Sequence, residues 1–162
     1  RRQADRWREA GEALVTRVPL EPFNSFGERF FEAAEQGGHD WIVVSHVFFR
    51  TGQVFDRFEA LAELARPEGP WVLIDGYHGF MATPTDLSRV ADRVFYTAGG
   101  YKYAMAGEGA CFLHAPPGFG PRPEGPAPSA ERPGGVRFTI GFLSQRGGPR
   151  FVPLRPPGRP GR

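Results

Sequence analysis

Lys102 is the only lysine in a chain of 162 residues that carries 19 arginines, and it lies in the glycine- and tyrosine-rich loop Gly99–Tyr103. A guanidinium stays protonated in proteins, whereas a desolvated amine can lose its proton and attack a carbonyl carbon to form a Schiff base. A single lysine is also compatible with an ordinary surface residue in an arginine-rich chain. The function of Lys102 therefore depends on the groups that the fold brings to it.

Asp75 is the second residue that could take part in chemistry. It directly follows the apolar run Trp71–Ile74 and precedes Gly76-Tyr77-His78-Gly79. Taken alone, an aspartate at this position is as typical of a helix cap or a turn as it is of a functional site. With Lys102 it suggests a pair, because a pyridine ring that carries an aldehyde needs an amine to hold it and an anion to keep its ring nitrogen protonated. Lys102 and Asp75 supply both groups.

The elements that must position these residues alternate along the chain. Apolar runs and helical spacing predict strands and helices in turn, which is typical of an α/β fold with a mostly parallel sheet. In such sheets ligands bind at the carboxyl ends of the strands, where Ser45, Asp75 and Lys102 are expected. The predicted helices are Arg2–Val15, Ser25–Glu35, Val54–Ala65 and Asp86–Ala91, and the predicted strands are Trp41–Phe49, Trp71–Ile74, Arg93–Thr97 and Ala110–His114.

The charge is distributed unevenly between two predicted regions. Residues 1–120 hold 12 basic and 16 acidic side chains, whereas residues 121–162 hold 8 arginines and 2 glutamates. This second region is rich in Pro and Gly and is predicted to be irregular, apart from the apolar stretch Val136–Leu143. An arginine-rich tail can bind nucleic acid, but no aromatic stacking platform accompanies these arginines, so a solvated tail is the favoured interpretation.

The composition also limits the cellular context. No apolar run approaches the ~20 residues of a membrane span and no signal peptide is evident, so a cytoplasmic protein without membrane attachment is expected. The single Cys111 excludes an internal disulfide and a thiolate metal cluster. Because Cys111 lies within an apolar strand, it is predicted to be a buried small residue. The missing initiator Met suggests a piece of a longer protein.

Three segments of the chain carry a resemblance to a known family. They are Val44–Gly52, Ile74–Gly79 and Phe95–Gly109, and their order and spacing resemble the central third of the large domain of class V aminotransferase-fold, pyridoxal-phosphate-dependent enzymes. The kynureninase-like branch is the most similar. The resemblance covers about residues 18–120 and implies a partial fold type I large domain over residues 1–120, pyridoxal 5′-phosphate as cofactor, an amino acid substrate and a homodimeric parent enzyme.

The resemblance also implies roles for individual residues. Lys102 would be the catalytic Schiff-base lysine and Asp75 the partner of the pyridinium nitrogen. Tyr101 would reach the cofactor phosphate, Ser45 would lie near the phosphate or the ring, and His78 would line the cofactor beside Asp75. His46 is excluded from the site, because strand alternation directs it to the face opposite Ser45.

The chain departs from the family pattern at both ends. Residues 1–38 contain no Gly/Ser/Thr-rich phosphate loop, and no tryptophan follows Trp71. We therefore expect the resemblance to end near Pro123 and the remaining residues to be the product of a shifted reading frame. We also expect such a fragment to aggregate through apolar surface that the missing parts would cover. Transamination, hydrolysis and lyase chemistry stay open, with a cysteine desulfurase least favoured. The alternative function is a non-catalytic α/β fragment whose basic tail binds nucleic acid or a protein partner.

Overall fold

The computed structural model describes residues 2–119 and 136–141. Helices and strands alternate in the first part of the described chain, as the sequence predicts, but the last four described elements are all strands. The elements are α1 (Arg2–Glu9), β1 (Ala13–Arg17), a 3-10 turn (Phe23–Ser25), α2 (Phe26–Glu35), β2 (Trp41–Ser45), α3 (Phe58–Leu64), β3 (Trp71–Asp75), β4 (Val94–Gly99), β5 (Cys111–His114) and β6 (Val136–Gly141).

The strands form one mixed sheet in the order β1-β6-β2-β3-β4-β5. The pairs β1–β6, β6–β2, β2–β3 and β3–β4 are parallel, and β5 is antiparallel to β4. The predicted α/β class with a mostly parallel sheet is therefore confirmed. No helix in residues 2–119 is long and apolar enough to cross a membrane.

The first predicted helix, Arg2–Val15, is wrong in its second half. Helix α1 ends at Glu9, Gly11 adopts a φ of +71°, and Ala13–Arg17 then form β1. Strand β1 pairs in parallel register with β6, more than 100 residues later in the chain. Helical spacing within a short window cannot detect such a distant partner, and tertiary pairing overrides it here.

The predicted strand Trp41–Phe49 and the predicted helix Val54–Ala65 are both shorter than expected. Strand β2 ends at Ser45, and Gly52 closes the following turn with a φ of +69° and an N–H that donates to the Phe48 carbonyl. The chain then forms an isolated bridge between Val47 and Val54, so α3 begins only at Phe58.

The predicted helix Asp86–Ala91 is a hydrogen-bonded turn. The N–H groups of Val90 and Ala91 both donate to the Leu87 carbonyl, and the chain then enters β4 at Val94. The carboxylate of Asp86 accepts a hydrogen bond from the Ser88 N–H at 2.8 Å, which is typical of a cap. Asp86 therefore closes a turn, and no helix follows it.

Alternate residues of β2, β3 and β4 form two faces of the sheet. We call the first the covered face, formed by Ile42, Val44, Val72, Ile74, Val94 and Tyr96, all of which are at most 1 % exposed. The side chains Phe26, Phe30, Phe58 and Leu61 of α2 and α3 belong to the same hydrophobic cluster. Burial of each such side chain contributes about 1.5–3 kcal/mol to folding.

We call the second face the aromatic face. It is formed by Trp41, Val43, Ser45, Trp71, Leu73, Asp75, Phe95 and Thr97. The rings of Trp41, Trp71 and Phe95 pack together, with centroids 5.1 to 5.7 Å apart. Several of its side chains, including Val43, Leu73 and Asp75, are only partly buried. The polar residues Ser45, Asp75 and Thr97 lie at the carboxyl end of this face.

The segment 121–162, predicted to be an irregular tail, contributes β6 to the sheet. The strand Val136–Gly141 lies within the apolar stretch noted in the sequence and pairs with both β1 and β2. Residues 120–135 and 142–162 lie outside the described residues, and most of the arginines of the tail are among them. The irregular, solvated tail stays a prediction, and its binding to nucleic acid stays the alternative.

Candidate functional site

The register of the sheet places three polar residues side by side. Ser45 is the Cα partner of Asp75, and Asp75 is the partner of Thr97. Because β2, β3 and β4 are parallel, their carboxyl ends meet at one edge, as expected for a ligand site in an α/β sheet. The predicted site residues Ser45 and Asp75 are thus neighbours on the aromatic face.

The amine of Lys102 reaches this edge from the loop that follows β4. Its Nζ lies 2.7 Å from Nε2 and 3.4 Å from Nδ1 of His78. The His78 ring in turn packs against the ring of Phe49, with centroids 4.9 Å apart. The structure therefore brings Lys102 and His78, two predicted site residues 24 positions apart, into direct contact.

Two tyrosines flank the Lys102 amine. Nζ lies 5.8 Å from the ring centroid of Tyr77 and 5.8 Å from that of Tyr101, and the two rings are 5.9 Å apart. A lysine at this distance is attracted by the aromatic faces. Gly99 leaves room for both rings, since a Cβ there would lie 2.6 Å from a carbon of each. The position of the amine is thus fixed by two rings and an imidazole.

Asp75 ends β3 in a partly buried position. Its Oδ1 accepts a hydrogen bond from the Tyr77 N–H at 3.1 Å. Burial raises the pKa of the Asp75 carboxyl, and the Tyr77 N–H and the positive charges of His78 and Lys102 oppose that rise. A positively charged group placed beside Asp75 would gain from this same electrostatic pairing.

Burial also shifts the pKa values of the two basic groups, Lys102 and His78. It lowers the pKa of the Lys102 amine, and the charge of Asp75 opposes the change. The pKa of His78 is lowered first by burial and then by the positive charge of Lys102, with Asp75 again acting in the opposite direction. Both shifts favour the neutral forms, and a neutral lysine amine is the form that attacks a carbonyl.

The prediction that Cys111 is buried is wrong, because the residue is exposed. Cys111 opens β5, which is the edge strand of the sheet, and its neighbours Phe112 and Leu113 are 43 % and 61 % exposed. The side chain of Cys111 lies beside Tyr77, whose hydroxyl pKa is raised by burial first and then by Cys111. The apolar run of β5 indicated burial, but β5 is an edge strand with a neighbouring strand on one side only, and residues on both of its faces are exposed.

His46 lies on the covered face, as strand alternation predicts. It is 3 % exposed, its ring packs 4.9 Å from Phe58, and its Nδ1 lies 3.3 Å from the Tyr96 hydroxyl oxygen. Burial lowers its pKa. Gly79 accommodates the imidazole, since a Cβ at Gly79 would overlap the His46 ring. His46 is therefore part of the core and separate from the site.

Sequence reasoning missed two aromatic residues of the site. Tyr77 was not among the predicted site residues, although its side chain flanks Lys102. Phe49 was assigned to a strand, although its ring packs on His78. A tyrosine between Asp75 and His78 was the available signal for Tyr77. Nothing in the local sequence separates Phe49 from the other phenylalanines of that segment.

Comparison of the chain with protein-family models, curated proteins and solved structures gives no match. Within the described residues, no group of three or more His, Cys, Asp or Glu side chains could hold a metal ion. The chemistry of the site must therefore be inferred from its own donors: an amine, an imidazole, a carboxylate and several hydroxyls.

These donors fit two parts of pyridoxal 5′-phosphate. Lys102 offers a desolvated amine for the aldehyde, and Asp75 offers a partly buried carboxylate that favours a neighbouring cation such as a pyridinium. The roles of the Tyr101 and Ser45 hydroxyls at the phosphate rest on the resemblance, since no contact among the described residues brings these two hydroxyls together. The Gly100 N–H is already bonded to the Ala110 carbonyl at 2.7 Å, so it is not free to bind an anion.

Proposed function

We propose that this chain binds pyridoxal 5′-phosphate through Lys102 and carries part of the active site of an enzyme that acts on an amino acid. The class V aminotransferase-like or kynureninase-like enzymes are the proposed group. The observation that carries the proposal is the placement of the single lysine amine against His78, at the sheet edge that ends in Asp75. An amine and a carboxylate on one parallel sheet edge are the two groups that this cofactor needs.

Each side chain has a proposed task. The bound cofactor would supply an electron sink for negative charge that develops on the substrate carbon. Lys102 Nζ would bind the aldehyde carbon and, when free, hold a proton for transfer to or from the substrate. The Asp75 carboxylate would accept a hydrogen bond from the ring nitrogen and keep the proton there. Tyr101 and Ser45 would donate hydroxyl hydrogen bonds to the phosphate, and His78 would contact the cofactor beside Asp75.

The proposal leaves the reaction type open among transamination, hydrolysis and lyase chemistry. A cysteine desulfurase was least favoured because Cys111 was expected in the core and because the reactive cysteine of those enzymes belongs to a smaller domain. The exposure of Cys111 removes the first argument, and the second still applies. A homodimeric parent enzyme and a cytoplasmic location also stay proposals.

The test is an absorbance titration of the full chain with pyridoxal 5′-phosphate. The proposal predicts a band at about 410–430 nm, typical of this cofactor joined to a lysine, which borohydride bleaches. Lys102→Ala should abolish the band. Lys102→Arg is the matched control, because it keeps the positive charge and lacks an amine that can react. A band of full intensity in either variant would contradict the proposal.

A further inference from the structure

The contact between Lys102 and His78 is the closest polar contact of the site, and the proposed function does not explain it. Nζ lies 2.7 Å from Nε2 and 3.4 Å from Nδ1, so two groups that can each carry a proton are within hydrogen-bond distance. Two protonated groups cannot share a hydrogen bond, because each would present only donors. The contact therefore requires that the pair hold one proton at this interface.

The surroundings of the pair allow the proton to lie on either nitrogen. Among the described residues, the charged or titratable groups that face it are Asp75 at the end of β3, Tyr77 in the following loop, Tyr101 beside Lys102, and Cys111 on β5, next to Tyr77. Asp75 is the acidic group among them, and its charge favours protonation of both His78 and Lys102. The rings of Tyr77 and Tyr101 attract an ammonium at Nζ, while Phe49 packs on the imidazole.

We propose that Nε2 of His78 accepts the proton of the Lys102 ammonium and so frees the amine to react with an aldehyde. This inference deepens the proposed function and rests on its assignment of Lys102 as the reacting amine. It assigns His78 an acid–base task in addition to contact with the cofactor. The site would then become reactive at a pH where an isolated lysine is still protonated.

On reaction with an aldehyde, the proton moves from Nζ to Nε2. The Nζ lone pair then forms a bond to the carbonyl carbon while the carbonyl electrons move to oxygen. One proton passes from nitrogen to that oxygen, and a second returns to it from Nε2. The oxygen leaves as water, and a protonated carbon–nitrogen double bond remains on Lys102. His78 is neutral again at the end.

The experiment uses formaldehyde as the aldehyde and cyanoborohydride as the reductant, so that each addition is trapped as a methylated amine. The full chain is labelled between pH 6 and pH 10, and peptide mass spectrometry gives the initial rates at Lys102 and at the N-terminal amine. Because Lys102 is the only lysine, its peptide is unambiguous. The N-terminal amine in the same tube serves as the internal reference.

Three proteins are compared. His78→Gln keeps a polar side chain of similar length that cannot take up a proton near neutral pH. His39→Gln is the matched control, since His39 bonds the Ala33 carbonyl and lies outside the site. We expect the Lys102 rate at pH 7.5, relative to the N-terminal amine, to fall about a hundredfold in His78→Gln, at the lower end of typical general acid–base effects. His39→Gln should match the wild type.

The pH profile provides the second readout. Burial alone lowers the pKa of Lys102, so a low midpoint of labelling is expected in both proteins. With the range extended to pH 5, the wild-type Lys102 rate should show an additional fall as the pH drops through the pKa of His78, because a protonated His78 cannot accept a proton, and His78→Gln should lack this step. An unchanged rate at pH 7.5 and an unchanged profile in His78→Gln would overturn the inference. If His78→Gln does not fold, the additional step in the wild-type profile decides, and its absence would refute the inference.

This experiment separates the inference from the proposed function. If labelling of Lys102 depends on His78 and no pyridoxal phosphate band forms, the proposed cofactor binding is refuted and the proton transfer is supported. A band that depends on Lys102, together with labelling that ignores His78, would support the cofactor and refute the proton transfer.

Discussion

The covered face and the aromatic face come from alternate residues of the same strands, yet packing treats them differently. On the covered face Ile42, Val44 and Ile74 are fully buried, whereas on the aromatic face Val43 and Leu73 retain exposed surface. The face that packing leaves partly accessible is the one that ends in Asp75. The comparison indicates that stability comes mainly from one side of this sheet and that the polar groups available for chemistry lie on the other.

The substitution with the largest expected effect compares the two faces through a matched pair of leucines. Leu61 of α3 is 0 % exposed, and Leu113 of β5, the register partner of Thr97 on the aromatic face, is 61 % exposed. Leu61→Ala should lower the free energy of unfolding by about 2–5 kcal/mol through lost burial and the cavity that remains. Leu113→Ala should change it by about 0.5 kcal/mol or less. Urea denaturation measures both, and similar losses would contradict the division between the two faces.

A second test adds volume to the covered face. A Cβ at Gly76 would overlap the Tyr96 ring, which is itself buried. Gly76→Ala should therefore lower the free energy of unfolding by about 1–3 kcal/mol, the usual cost of overpacking. In a Tyr96→Leu background the same substitution should cost less, because the ring that it meets is shorter. If Gly76→Ala lowers the free energy of unfolding equally in the two backgrounds, the added methyl group does not clash with the Tyr96 ring.

A third test concerns the carboxylate of the aromatic face. Because the folded-state pKa of Asp75 is raised above the unfolded value, the native state binds the proton more tightly than the unfolded chain does. The stability associated with Asp75 is thus present below its unfolded pKa and is lost as the pH rises through its folded pKa. Asp75→Asn should abolish this loss, so its advantage in stability over the wild type should grow from pH 4 to pH 7.5.

Urea denaturation at the two pH values checks this prediction. Ser45→Ala is the control, because it alters the neighbouring residue of the same sheet edge without changing a titrating group. A wild type that becomes more stable than Asp75→Asn as the pH rises would show that ionised Asp75 stabilises the fold.

The smallest expected change in stability is at Tyr101. Tyr101→Phe keeps the ring that flanks Lys102, so the free energy of unfolding should change by about 0.5 kcal/mol or less. If the hydroxyl donates to the phosphate, the affinity for pyridoxal 5′-phosphate should fall about tenfold, as expected for one charge-assisted hydrogen bond. The affinity for pyridoxal, which lacks the phosphate, should stay the same. Equal losses for both ligands would assign Tyr101 to ring or lysine positioning.

The parts of the fold that depend on local signals were predictable from the sequence. The apolar run Trp71–Ile74 and the helix that ends before Gly37 both appear as expected, because their burial and termination are encoded in neighbouring residues. The second half of the predicted first helix was wrong because β1 pairs with β6, and Cys111 is exposed because β5 lies at the sheet edge. Both outcomes depend on the order of strands in the sheet, which no short window contains.

The candidate site was predictable to a similar extent. Ser45 and Asp75 were correctly expected at one edge, because alternation of elements predicts parallel strands, although the strand that carries Ser45 was predicted to continue to Phe49. The contact of Lys102 with His78 and the enclosure of the amine by Tyr77 and Tyr101 were not predictable from spacing. They depend on the conformations of two loops and on the space that Gly99 leaves for the tyrosine rings.

The most direct test of the central claim is to locate the amine that holds the cofactor. The full chain is incubated with pyridoxal 5′-phosphate, reduced with borohydride and digested, and the modified peptides are identified by mass spectrometry. The account predicts a reduced pyridoxyl group on Lys102, at a level far above that on the N-terminal amine, and a large decrease at Lys102 in the Asp75→Asn variant. Modification at the N-terminal amine with Lys102 unmodified would contradict it.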